Sequence, residues 1–175
     1  FLMFVLVLGL VACGNGKDSD DVADQATNDT DSTVTEEGID EERMRTITHL
    51  GKEYKVPEQA ERIVLVGAME AFEDALVLDI KPVGANTVGG EYPEVFSEIL
   101  KDAEPIGEKT EPNLDVILQL EPDVILVSTK FPDETKEKLE KLAPMVEISH
   151  ISTDGIENLK VLAEMTGKQD KAEKV

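Results

Sequence analysis

Ile63-Val64-Leu65-Val66 is an uninterrupted apolar run closed by Gly67, and comparable short runs return at Asp123 to Val127 and at Val146-Glu147-Ile148. A strand that is apolar at nearly every position has both faces covered, the condition of a parallel sheet sandwiched between helices. The segments between these runs carry helical signals. Glu70 to Leu78 places Phe72, Ala75, Leu76 and Asp79 at helical spacing, with Glu70, Glu73 and Asp74 where a helix macrodipole favours acids. Pro93 to Leu100 is a helix opened by proline. Asn113 caps a short helix, Leu114 to Leu120, with Asp115 in its first turn, and Glu121-Pro122 ends it. Pro132 opens a helix through Leu142, and Gly155 to Met165 is the last complete one. Lys81-Pro82-Val83-Gly84-Ala85 reads as a second short strand. Strand and helix alternate, so the fold class is α/β with a mainly parallel sheet and helices on both faces.

Ahead of this pattern, Thr46 to Val56 alternates around Gly51-Lys52 as a hairpin does, with Ile47 and His49 on one side and Tyr54 and Val56 after the turn. Three regions follow: 1–13, 14–45 and the folded 46–175. The first, Phe1 to Ala12, has no charge and ends at Cys13. Twelve residues rise only about 18 Å as a helix, short of a hydrocarbon core of about 30 Å but long enough for the apolar region of an export signal. Leu10-Val11-Ala12-Cys13 resembles the bacterial lipobox, whose cysteine carries a diacylglyceryl group; two acyl chains hold a protein stably where one does not. The chain starts at Phe1 with no basic segment before the apolar run, so its N-terminus reads as truncated. A single cysteine excludes an internal disulfide or a CxxC site. Lys17 to Arg45 is dominated by Asp and Glu and lacks aromatics, a composition that cannot offset its ordering entropy, so it reads as an extended disordered tether.

In an open α/β sheet, ligands sit beyond the carboxyl ends of the strands. The candidate loops are Ala68 to Glu70, Asn86 to Tyr92, Gly107 to Asn113, Ser128 to Phe131 and Ser149 to Thr153. Catalytic signatures are scarce in them. No GxGxxG follows the first strand, and Glu108 separates Gly107 from Lys109, so no phosphate loop forms. Ser128 and Ser149 lack a GxSxG setting. His49 and His150 are the two histidines, without metal-ligand spacing. A formal net charge of −21 argues against nucleic acid, whose counterions are displaced by clustered Lys and Arg. No enzyme activity and no cofactor are expected.

Lys55-Val-Pro-Glu-Gln-Ala-Glu-Arg-Ile-Val-Leu-Val, Asp79-Ile-Lys-Pro-Val-Gly, Gly107-Glu-Lys-Thr-Glu-Pro-Asn-Leu-Asp, Glu121-Pro-Asp-Val-Ile-Leu, Lys141-Leu-Ala-Pro and Thr166-Gly-Lys-Gln-Asp-Lys-Ala occur in order. Together they resemble the N-terminal lobe of the iron-siderophore and vitamin B12 substrate-binding lipoproteins of ABC importers. Ser128-Thr-Lys-Phe-Pro and Ile148-Ser-His-Ile-Ser-Thr are most similar to the catecholate (bacillibactin-type) binders of Gram-positive bacteria.

The resemblance covers about Thr46 to Val175 and implies a two-lobe fold whose inter-lobe helix begins near Lys168, leaving the C-terminal lobe absent from this chain. It further implies a lipid-anchored protein on the extracellular face of a Gram-positive cell membrane, with a ferric siderophore as ligand and an ABC permease as partner. A metal-ion, haem or cobalamin binder of similar architecture is the alternative. Lys109 keeps one of the basic side chains that such binders direct at the anionic ligand, whereas Glu91 stands where another lysine is implied. Asp115 takes the place of the permease-docking glutamate. Lys130, Asn86, Thr87 and His150 are further ligand candidates, chosen for their position at strand ends.

Overall fold

A computed structural model describes residues 43–175; the signal-like segment, Cys13 and nearly all of the acidic tether lie outside the described residues. The chain enters through an antiparallel hairpin, β1 (Met44–His49) and β2 (Lys52–Pro57), in the register Ile47↔Tyr54. β1 begins at Met44, two residues before the boundary read from composition.

The remaining strands are β3 (Ile63–Val66), β4 (Gly84–Thr87), β5 (Glu104–Glu108), β6 (Glu111–Pro112), β7 (Val124–Ser128) and β8 (Met145–Ile148). They form one sheet in the order β6-β5-β4-β3-β7-β8, parallel throughout except for the short edge strand β6. The helices are α1 (Met69–Leu78), α2 (Ser97–Leu100), α3 (Leu114–Gln119), α4 (Asp133–Glu140), α5 (Gly155–Thr166) and α6 (Gln169–Ala172).

The period-two geometry of strands divides the apolar runs between two cores. Ile63, Leu65, Val124, Leu126, Val146 and Ile148 face one side, where Phe72 of α1, Ile99 of α2, Leu162 of α5 and hairpin residues Ile47 and Val56 cover them. Val64, Val66, Ile125, Val127 and Met145 face the other, under Ile117 of α3 and Leu139 of α4. Phe72 meets Phe96 edge to face at 5.4 Å and 86°, a geometry worth about 0.5–1.5 kcal/mol beyond burial. The hairpin is fastened to the first core by ion pairs: Arg45 to Glu164 of α5 at 2.7 Å, and Lys52 to Glu147 of β8. Lys136 of α4 holds the second oxygen of Glu147 at 2.7 Å. Burial works against a charged Glu147, yet the Lys136 and Lys52 ammonium groups hold its carboxyl below the usual range.

Several expectations are corrected. The second strand is not Lys81–Ala85 but Gly84–Thr87, because its pairing to β3 starts at Gly84, opposite Val64. Pro93 does not open a continuous helix; Glu94–Phe96 is a 3₁₀ turn leading into α2. Asp79 is not on the helix face but ends α1 in the left-handed conformation, φ 54°, donating its N–H to Ala75 and Leu76 carbonyls. β5 and β6 occupy a segment read as loop.

Asp74 of α1 is half-buried; burial first, then the Glu73 and Glu70 carboxylates, push it up to about 7. Its folded pKa lies above the unfolded one, so the unfolded chain gives up this proton near pH 4 while the folded protein keeps it until about pH 7. Stability therefore falls as pH rises across that window and levels off above it. Asp74→Asn is expected to gain about 1 kcal/mol at pH 8, allowing for solvent screening, and nothing at pH 4, as measured by urea unfolding at the two pH values.

Candidate functional site

From β3 the chain moves outward to β4 and β5, then returns to lay β7 and β8 on the other side of β3. The carboxyl ends of β3 and β7 therefore flank the point where the winding reverses, and loops leaving them in opposite directions open a crevice. A pocket of about 310 Å³ lies there, lined by Gly67, Lys109, Thr110, Ser128, Lys130, Phe131 and Pro132.

Three backbone segments converge to build it. After β3, Gly67 adopts φ 63°, and its N–H donates to Asn86 Oδ1 at 2.7 Å. A Cβ at this position would meet the Phe131 ring and come within 2.9 Å of the Lys109 carbonyl, so only glycine permits the three segments to close. After β7, the Phe131 and Lys130 N–H groups donate to the Ser128 carbonyl and hydroxyl at 3.0 and 3.3 Å, turning the chain sharply into α4. The third wall is the β5–β6 hairpin, with Lys109 and Thr110 at its tip. Gly107 makes that tip possible: at φ 96° its missing Cβ leaves room for the Glu111 carbonyl, which would otherwise lie 2.5 Å away.

Phe131 and the aliphatic stems of the two lysines give the pocket an apolar lining, and the Lys109 and Lys130 ammonium groups stand exposed at its rim. Among the described residues neither has a hydrogen-bond or ion-pair partner, whereas Lys52, Lys136, Lys138 and Lys160 each reach a carboxylate. Both α1 and α4 start at this edge of the sheet, adding the partial positive charge of their first N–H groups. The arrangement suits a flat apolar group bearing negative charge.

The other candidates fall elsewhere. Asn86 and Thr87 are not in a loop but buried in β4, their side chains engaged inside the protein: Asn86 with Gly67, Thr87 with the Gly107 carbonyl and Glu108 at 3.3 and 3.1 Å. They shape the crevice without lining it. His150 is exposed beyond β8; its Nδ1 lies 2.7 Å from Thr129 Oγ1, beside the pocket but not in its wall. Asp115 sits exposed in the first turn of α3, where Asn113 Oδ1 accepts from the Asp115 and Val116 N–H groups at 3.1 and 3.2 Å. His49 is buried, its Nε2 3.2 Å from Asn158 Oδ1, and burial pushes its imidazole below the ordinary value despite that contact. Among the described residues, no three His, Cys, Asp or Glu side chains gather where they would hold a metal ion. Sequence reasoning missed Gly67, Thr110, Phe131 and Pro132 as site residues, although it named the loops carrying Thr110 and Phe131; a glycine closing an apolar strand was the available signal for Gly67.

Residues 90–175 match the model of the periplasmic binding protein family. Over 173 residues the chain is 38% identical to the iron-uptake system-binding protein of Bacillus subtilis (strain 168), an alignment spanning 99% of this chain and 51% of that protein. This chain's residues 90–175 carry the sequence pattern of the periplasmic binding protein family. It is also similar to the probable siderophore-binding lipoprotein YfiY of the same organism, 29% identical over 86% of this chain and 46% of that one.

Solved structures of siderophore binding proteins share the fold. The triscatecholate siderophore binding protein FeuA of Bacillus subtilis, complexed with ferri-bacillibactin, superposes with a TM-score of 0.71 at 44% identity, over 74% of this chain and 46% of FeuA. Staphylococcus aureus SirA, complexed with staphyloferrin B, does so at 0.63 and 28% identity, over 74% of this chain and 44% of SirA. The sheet described above is thus one lobe of the two-lobe periplasmic binding protein architecture, and the chain spans about half the length of the relatives it matches.

Proposed function

We propose that this chain captures a ferric siderophore of catecholate type as the substrate-binding component of an ABC importer, and that it is held to the outer face of the cell membrane by lipid on Cys13. The observation that carries the reading is the pair of ammonium groups, Lys109 and Lys130, without a partner among the described residues, over the Phe131 pocket at the switch point. In a chain of net charge −21, anion capture relies on local donors, and this rim supplies them. A ferric tris-catecholate offers planar aromatic rings and net negative charge, which match an apolar floor with cationic edges. The likeness to the ferri-bacillibactin complex of FeuA supports the same ligand class. The protein binds and hands on its ligand; no turnover is proposed.

The test is a competition between ferric complexes of different charge. Ferri-bacillibactin is expected to bind at least 100-fold more tightly than a ferric trihydroxamate without net negative charge, read by equilibrium dialysis of iron. Equal affinity, or preference for the uncharged complex, contradicts the reading.

Delivery requires a docking surface for the permease, and the exposed Asp115 carboxylate is our candidate for a contact with a permease arginine. A rim charge of this kind sets orientation and association rate more than stability. Asp115→Ala is expected to leave ferri-bacillibactin affinity unchanged and to slow iron uptake by cells, with Asp115→Glu restoring it. Parental uptake in Asp115→Ala, or a loss of folding stability that tracks the loss of uptake, would reduce Asp115 to a residue that complements the α3 dipole.

A further inference from the structure

The β5–β6 hairpin places Glu108 and Lys109 next to each other at the rim, with different surroundings. The Glu108 carboxylate accepts from the Gly90 N–H at 2.6 Å, the Gly89 N–H at 3.0 Å and the Thr87 hydroxyl at 3.1 Å. The Gly89 and Gly90 donors, foremost among these, hold its carboxyl below the usual range even though the residue is exposed. Gly89 and Gly90 take φ of 67° and 85°, as the two central residues of a tight hairpin turn require, and the Val88 N–H closes the turn on the Glu91 carbonyl at 2.9 Å. Lys109 is tied to the same strand end only through its backbone, its N–H donating to the Thr87 carbonyl at 3.0 Å.

Two consequences follow from this geometry. A carboxylate adjacent to a lysine is a ready ion-pair partner, but here three donors occupy it and the Lys109 ammonium is left for the pocket. The hairpin itself is weak, since β6 has two residues, one of them Pro112, and so short a ribbon does not hold its shape unaided.

We propose that Glu108 is a positioning residue for Lys109: its carboxylate clamps the hairpin tip to the Gly89–Gly90 turn and so sets the Lys109 ammonium on the pocket rim before ligand arrives. The proposal rests on the anion-binding reading of the pocket given above.

A ligand-free arm and a ligand arm, both on the full chain, test it. In hydrogen exchange without ligand, Glu108→Gln is expected to lower the protection of the Gly89, Gly90 and Lys109 amides about tenfold, with the Gly89 and Gly90 amide proton resonances shifted and the melting temperature unchanged. Glu108→Asp, which keeps the carboxylate, should recover part of that protection. With ferri-bacillibactin as probe, Glu108→Gln is expected to weaken binding about fivefold in the parent and not at all in a Lys109→Ala background, because the clamp acts through Lys109. Unchanged amide protection, or equal weakening in both backgrounds, overturns the proposal. Should the parent fail to bind ferri-bacillibactin, the functional reading falls while the exchange arm still decides whether the clamp exists.

Discussion

Gly67→Ala is expected to destabilise the protein by about 2–4 kcal/mol and to abolish ligand binding at the pocket. Two costs add. A residue with a Cβ at φ 63° pays about 1 kcal/mol or more for the left-handed conformation. The new methyl group also collides with the Phe131 ring and the Lys109 carbonyl, and a backbone atom cannot swing away as a flexible side chain can. Relief requires either Phe131 to leave the pocket floor or the β5–β6 hairpin to retreat, and each dismantles a wall of the site. Urea unfolding and ferri-bacillibactin titration of the same variant provide the check. The glycines at 89 and 90 supply a contrast, since a Cβ there meets nothing within 4 Å and only the conformational strain remains. A Gly67→Ala protein with parental stability and affinity would show that the three segments do not close as described.

The second large effect concerns charge. Removing Lys109 by Lys109→Ala is expected to weaken ferri-bacillibactin binding about tenfold or more, roughly 1.4 kcal/mol, and removing Lys130 as well about 100-fold. An ion pair at about 4 Å is worth roughly 1 kcal/mol in water and about 4 at an effective dielectric near 20, so the effect grows as the pocket excludes water. Folding stability should not change, because neither ammonium has a partner among the described residues. Raising ionic strength should weaken the parent more than the double variant, since screening acts on the charges removed. Affinity indifferent to both lysines would remove anion capture from the account.

How much of this was legible in the sequence depended on whether a segment's character is local. β3, β7 and β8 announce themselves, because a strand buried on both faces must be apolar at almost every position, and Ile63–Val66 and Val124–Val127 are. β5 does not. Its only large apolar residue, Ile106, stands between Pro105 and Gly107, which argue against a strand; pairing with β4 on one side and β6 on the other makes it one. Asn86 and Thr87 read as loop residues because they are polar, yet they complete β4, and their polarity is satisfied by Gly67, Gly107 and Glu108. Lys109 was found from its position and the resemblance. Phe131 was not, because an aromatic in a strand-end loop becomes a pocket floor only once β3 and β7 are known to lie side by side. The same holds for Glu108, which sequence reasoning met only as an obstacle between Gly107 and Lys109.

The central claim is that the crevice at the carboxyl ends of β3, β5 and β7 is where the ligand sits. Ferri-bacillibactin carries a paramagnetic ferric ion that broadens the amide resonances nearest to it, so titrating it into the isotopically labelled full chain maps the site directly. The account predicts that Gly67, Thr110, Lys130 and Phe131 lose their amide signals first, while Glu61, Asp123 and Ala143, at the opposite end of the sheet, stay sharp. Broadening at Glu61, Asp123 and Ala143, or along the α5–α6 groove lined by Ile156 and Ala172, with Gly67 and Phe131 unaffected, would contradict it.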